Sequence, residues 1–156
     1  MEKYKPINRR RMERVLPHIW DVTDLCDIIE RHGNKTLFRY YEGKDIQSMT
    51  YATFGTQVRE AAAAFTAMGL CGEKIAVIGE TSPQWVCTYL GALAAGCVIV
   101  PMDKELDTEE IRRFIAMVDA RAIVYSKSFN EKFIKSISDG DTGIRYFIPI
   151  TPAYDS

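Results

Sequence analysis

Apolar and polar positions follow two rhythms along this chain, and the change from one to the other marks its elements. From Thr50 to Met68 the residues Phe54, Val58, Ala61, Phe65 and Met68 recur at helical spacing, which predicts an amphipathic helix. The run Ala61 to Ala64 adds propensity and a thin surface for close packing. Gly69 marks the stop, with Leu70 placed for the apolar contact that often follows one. Lys74 to Ile78, KIAVI, is almost wholly apolar, as suits a strand of a parallel sheet covered on both faces. Beyond it, the 22 residues from Thr81 to Met102 carry no charge. A membrane span needs about 20 apolar residues in a row, but the internal punctuation favours a buried helix and then a buried strand. Ser82-Pro83 reads as an N-cap followed by proline at the first helical position. Gly96 stands where that helix should stop, Cys97 to Val100 read as a short strand, and Pro101 closes it.

The flanking segments complete the pattern. Thr23 to Arg31 is predicted as a short helix with Leu25, Ile28 and Ile29 on its buried face, Thr23 as its cap and Gly33 at its end. Thr36 to Tyr41 and Ile46 to Tyr51 read as the arms of a β-hairpin turning at Glu42-Gly43-Lys44-Asp45. Downstream, Asp107 and Glu110 have the spacing of a capping box. The helix it opens presents Ile111, Phe114, Ile115 and Val118 to the core. Ala122 to Tyr125 is a strand, and Asn130 to Ile137 a helix with Phe133, Ile134 and Ile137 inward. Asp139 to Gly143 is a loop and Ile144 to Ile148 a last strand. Strand and helix alternate through the second half. The fold class is therefore α/β, a mainly parallel doubly wound sheet with helices on both faces, preceded by a β-hairpin. The predicted organisation is a basic lead-in over residues 1–20, an α/β unit over 21–150 and a short tail over 151–156.

Composition adds bounds rather than chemistry. At 156 residues the chain suits one domain, and 47% hydrophobic with 26% charged residues is ordinary for a globular protein. A net charge of −1 gives no overall pull toward nucleic acid, which is not expected as a partner. Locally, Lys3, Lys5, Arg9, Arg10, Arg11 and Arg14 face only Glu2 and Glu13. This cluster suits peripheral contact with an anionic membrane or nucleic acid. No stacked aromatics accompany it, so the favoured reading is a solvated lead-in that packs through Val15, Leu16, Ile19 and Trp20. No apolar signal-peptide core lies near the N-terminus. Cys26, Cys71, Cys87 and Cys97 form no C-x-x-C pair, and with two histidines a zinc site is not expected. Free thiols in apolar surroundings point to a reducing, cytoplasmic setting.

Candidate site residues are few. Glu80, Thr81 and Ser82 lie between a strand and a helix, where an anion can bind, but Glu80 opposes an anion and capping explains Ser82. Trp85 reads as a packing aromatic and Tyr51 as an anchor between hairpin and sheet. His18 and His32 have no nucleophile or carboxylate partner at a telling spacing. No catalytic residue and no metal ligand is assigned.

Several stretches, in order and at matching spacing, resemble the AMP-forming adenylating enzymes, the superfamily of acyl-CoA synthetases. Met49-Thr50-Tyr51 leading into the Phe54 to Met68 helix is similar to their first signature block. Leu93 through Gly96 to Pro101-Met102-Asp103 is similar to the second. Gly69-Leu70, Gly72-Glu73-Lys74 and Ser82-Pro83-Gln84-Trp85 match the spacing between them. Asp103 to Leu106 with Glu109-Glu110 most resembles bacterial long-chain fatty-acid–CoA ligases. The resemblance implies a ligase that joins a fatty acid to CoA. ATP activates the carboxylate as an acyl-adenylate, Mg²⁺ offsets phosphate charge, and the CoA thiol displaces AMP. It also implies a departure. The family's Ser/Thr/Gly-rich phosphate loop ending in lysine has no counterpart here, because the glycines are never clustered. The expectation is an N-terminal fragment of such a ligase, inactive alone, with an exposed apolar face that favours self-association. By position in the family, Asp103, Lys104, Lys127, Lys132 and Lys135 border the CoA path, although a solvated surface explains the same lysines. The alternatives are a stand-alone flavodoxin-like binding module and a pure interaction domain.

Overall fold

The computed structural model describes residues 19–129, 131–140 and 142–150. The basic cluster up to Arg14, Val15, Leu16 and His18, and the tail from residue 151, lie outside the described residues. Helix α1 spans Val22–Glu30, and β1 (Thr36–Glu42) and β2 (Asp45–Thr50) form the hairpin. There follow α2 (Tyr51–Ala67), β3 (Lys74–Ile78), α3 (Pro83–Ala94), β4 (Val98–Met102), α4 (Thr108–Val118), β5 (Ala122–Tyr125), α5 (Glu131–Ser138) and β6 (Tyr146–Pro149). The last four strands form one parallel sheet in the order β4-β3-β5-β6, and the hairpin stands apart as a two-stranded antiparallel sheet.

Side-chain alternation on β3 and β5 explains the two helical layers. Ile75 and Val77 of β3, with Ala122 and Val124 of β5, join Phe65 of α2 and Ala92 of α3 in one core. Ala76, Ile78 and Ile123 point the other way and meet Ile111 and Ile115 of α4 and Ile137 of α5. Both faces of the central strands are therefore dry, which is why KIAVI carries no polar residue after its lysine. A third cluster of Cys26, Met49, Phe54, Val58 and Cys87 binds α1 and the hairpin to the outer side of α2 and α3.

The uncharged stretch divides as predicted. Ser82 caps α3 by accepting from the Trp85 N–H at 3.1 Å, and Gly96 closes it at φ +75°. Among the described residues no helix is long and apolar enough to cross a membrane. The predicted capping box of α4 also forms, with the Glu110 N–H donating to Asp107 Oδ1 at 2.8 Å and the Asp107 N–H to Glu110 Oε2 at 3.1 Å.

Several expectations are corrected. Asp21, not Thr23, caps α1, because its Oδ1 lies 3.0 Å from the Asp24 N–H. The inward face of α1 is built on Cys26 with Val22 and Ile29, while Leu25 and Ile28 are only half-buried. Pro101 does not end β4 but lies within it, paired with Val77. The Val98 N–H bonds to the Glu73 carbonyl, so by strand alternation Pro101 turns its missing donor away from β3, onto an edge that has no neighbouring strand among the described residues. β4 is accordingly an edge strand with Val98 exposed, not a buried one. Phe114 is 43% exposed despite its place in the helical stripe of α4. Ile19 and Trp20 are largely exposed. The last strand begins at Tyr146, two residues later than Ile144, and runs into Pro149.

Tyr51 starts α2 instead of ending the hairpin, and its ring lies 4.8 Å from that of His32. It thus ties α2 to the end of α1, not the hairpin to the parallel sheet. The first N–H groups of α2 are satisfied from the same segment, Tyr51 by the Lys35 carbonyl and Ala52 by that of Gly33.

Candidate functional site

β3 leads through α3 to β4 on one side, and the chain then crosses back to place β5 on the other side of β3. The order reverses between β3 and β5, and in open α/β sheets ligands settle outside the carboxyl ends of the strands at such a point. Here that point is built from Gly79 and Glu80 after β3 and Ser126, Lys127 and Ser128 after β5. Glu80, Ser126, Lys127 and Ser128 line a cleft of about 210 Å³ together with Tyr40, Tyr41 and Glu42 of the hairpin.

Three side chains form its floor. Ser126 Oγ donates to Glu80 Oε2 at 2.5 Å, Ser128 Oγ to the same oxygen at 2.9 Å, and the two hydroxyls are 2.8 Å apart. Gly79 makes this approach available. A Cβ there would lie 2.5 Å from both Cβ and Oγ of Ser126, and its φ of +145° disfavours any L side chain. The Ser126 N–H is meanwhile fixed to the Ile78 carbonyl at 3.1 Å. The Ser126 hydroxyl is the main reason that the Glu80 carboxyl titrates below its usual range, helped by its own backbone N–H, by Ser128 and by the charge of Lys104, with partial burial opposing.

A depressed carboxylate stabilises the folded chain above its unfolded pKa, and that contribution is lost as pH falls through the folded value. Glu80→Gln is therefore expected to flatten the acid side of the stability–pH curve, between the ordinary Glu value and the lower folded one, and to leave the alkaline side unchanged. Urea melts across acidic pH check this, and an unaltered acid slope would refute the coupling.

The site offers little to an anion. Of the first three helical positions of α3, Pro83 has no N–H and that of Trp85 is taken by Ser82 Oγ, which leaves Gln84 beside a negative Glu80. Trp85 packs on the core and stacks with Tyr89 at 5.2 Å, as a packing aromatic should. The lysines expected from sequence are only partly brought together. Lys127 lines the cleft, and Lys104 is close enough to act on Glu80 while pairing with Glu105 at 3.8 Å. Asp103 turns into its own loop, its Oδ1 accepting from the Glu105 N–H at 2.9 Å. Lys132 and Lys135 stand exposed on α5 and do not line the cleft. Among the described residues no three His, Cys, Asp or Glu side chains converge to hold a metal ion. Sequence reading missed Ser126 and Ser128, which lie 46 and 48 residues from Glu80.

Known proteins share this architecture. The N-terminal domain of FACL13 from Mycobacterium tuberculosis superimposes with a TM-score of 0.73 at 20% identity, over 84% of this chain and 33% of that one. In sequence, a crotonobetaine/carnitine–CoA ligase of Citrobacter koseri is 27% identical over 130 residues. The alignment takes in 81% of this chain but only 24% of the ligase. The long-chain-fatty-acid–CoA ligase FadD13 of M. tuberculosis is 26% identical over 87 residues, 55% of this chain and 17% of its own length. The chain thus spans about a quarter or less of these two curated relatives. The model of the AMP-binding enzyme family matches residues 27–147, and with most of its length inside that match this chain belongs to the AMP-binding enzyme family.

Proposed function

We propose that this chain forms the N-terminal α/β portion of an ATP-dependent acyl-CoA synthetase, with long-chain fatty acids as the substrate class. The match over residues 27–147 carries the reading, and CoA ligases among the relatives support it. In such an enzyme this portion supplies a rigid sheet and part of a rim. Lys127 and Lys104, near the carboxyl end of the sheet, are the cations best placed to meet a CoA phosphate. Lys132 and Lys135 extend positive charge along α5, and Asp103 shapes the loop that carries Lys104. Exposed Val98 on β4, with Phe114 and Met117 on α4, gives the rest of such an enzyme, or a second copy, apolar surface to cover.

The described residues do not fit ATP with Mg²⁺. A phosphate site needs several converging N–H groups and a cation, whereas the switch point presents Glu80 and one spare N–H. No chemical step is assigned to them, and the isolated chain is proposed to be inactive. Calorimetric titration with MgATP, CoA and a flavin tests the reading. No binding tighter than millimolar is expected for the nucleotides. Micromolar flavin binding at the switch point would instead establish a flavodoxin-like module, and micromolar MgATP binding would show that the chain holds a nucleotide site of its own.

A further inference from the structure

The turn after α2 and the turn after α3 run side by side. The Gly72 N–H donates to the Gly96 carbonyl at 3.0 Å and the Val98 N–H to the Glu73 carbonyl at 2.9 Å. Each turn carries one cysteine. Cys71 is exposed and Cys97 is buried, at 5% exposure. The Cys97 thiol donates to the carbonyl of Leu70, the residue before Cys71, at 3.2 Å. From the other side, the Cys71 sulfur stands 3.3 Å from where a Cβ on Gly96, the residue before Cys97, would be. Covalent geometry from the Leu70 oxygen to the Cys71 sulfur keeps the two sulfurs within roughly 9 Å of each other. The absence of a side chain at Gly96 keeps a Cβ from crowding the Cys71 sulfur.

We propose that Cys71 and Cys97 form an oxidation site, in which a peroxide converts the pair to an intramolecular disulfide that pins the start of β3 to the start of β4. Exposed Cys71 meets the oxidant first. Its thiolate attacks one peroxide oxygen to give a sulfenic acid, and the other oxygen leaves as water after taking up a proton. The Cys97 sulfur then attacks the sulfenic sulfur, the S–O bond breaks, and the hydroxyl leaves as a second water with the Cys97 proton. Two thiols are oxidised by one electron each, and one peroxide is reduced by two. In a reducing compartment the bond reverses by exchange with a small thiol, so the pair reports oxidant rather than serving as a permanent staple.

The other thiols are poor competitors. Cys26 and Cys87 are buried within another cluster, and burial pushes the Cys87 thiol up to about 12. Burial also raises the Cys97 thiol, which slows its attack, and the further rise from Cys71 reflects how near the two sulfurs lie, so the pairing rests on proximity rather than on an activated thiol.

The test is stoichiometric hydrogen peroxide added to the folded 156-residue chain, followed by alkylation, non-reducing digestion and mass spectrometry. The expected product is a Cys71–Cys97 cross-linked peptide, 2 Da lighter than its reduced parts, restored by dithiothreitol. Cys97→Ser should leave Cys71 as a trappable sulfenic acid, and Cys87→Ser should still form the link. Circular dichroism of each variant checks that it is folded. Overoxidised Cys71 without the link, a Cys71–Cys71 dimer as the main product, or a link that survives Cys97→Ser would each overturn the proposal.

Discussion

Gly91→Val is expected to destabilise the fold by about 3 kcal/mol, with Gly91→Ala intermediate. At Gly91 the helix α3 lies directly against the backbone of α2. A Cβ there would stand 2.4 Å from Ala61 Cβ, 2.9 Å from the Val58 carbonyl oxygen and 3.0 Å from the Ala62 nitrogen. Two of these three atoms are backbone, so no rotamer change makes room and the helices must part. Separation opens the core that holds Phe65, Ala92 and Trp85, and also the outer cluster of Val58 and Cys87. Removing a helical glycine returns up to about 1 kcal/mol of propensity, too little to offset the clash. A urea midpoint within error of wild type would show that the pair has slack.

Ile123→Ala is the second large effect, at about 2–5 kcal/mol. Ile123 lies on central β5, has no exposed surface, and packs with Ala76 and Ile78 between the sheet and α4 and α5. Truncation removes three carbons where strands on both sides prevent collapse. For a domain of this size each kcal/mol lowers Tm by roughly 2–4 °C, so a fall of about 5 °C or more is expected. Val98→Ala, on the exposed edge strand, is the internal control and should cost well under half as much. Equal losses at the two positions would mean that β5 is not central to the sheet.

What could be read in the sequence was local. The α2 stripe, the Ser82 and Asp107 caps and the Gly96 stop each depend on residues within one turn of each other, and all appear where expected. The signature spacing led to the right family because it preserves the order of these local signals. Positions settled by distant partners were not legible. Phe114 has helical periodicity, yet it stands 43% exposed, because periodicity does not say which positions a neighbour covers. Pro101 looks like a terminator until β4 is known to be an edge and its missing N–H to face outward. Gly91 reads as a small residue in a helix, and only its approach to Ala61 shows why nothing larger fits. The cleft floor is the clearest case, since nothing near Glu80 announces serines 46 and 48 residues away. The lysines expected beside it were found by position in a family, and the structure gathers only Lys127 and Lys104 near Glu80.

The described residues lack the groups to hold a triphosphate, and the proposal that the chain is inactive alone predicts no adenylating activity. The decisive assay is ATP–pyrophosphate exchange by the purified chain, with Mg²⁺ and fatty acids of several lengths. The predicted result is exchange indistinguishable from the enzyme-free background at every acid. Acid-dependent exchange that co-purifies with the folded chain, and is lost when urea unfolds it, would contradict the assignment of this chain as scaffold alone.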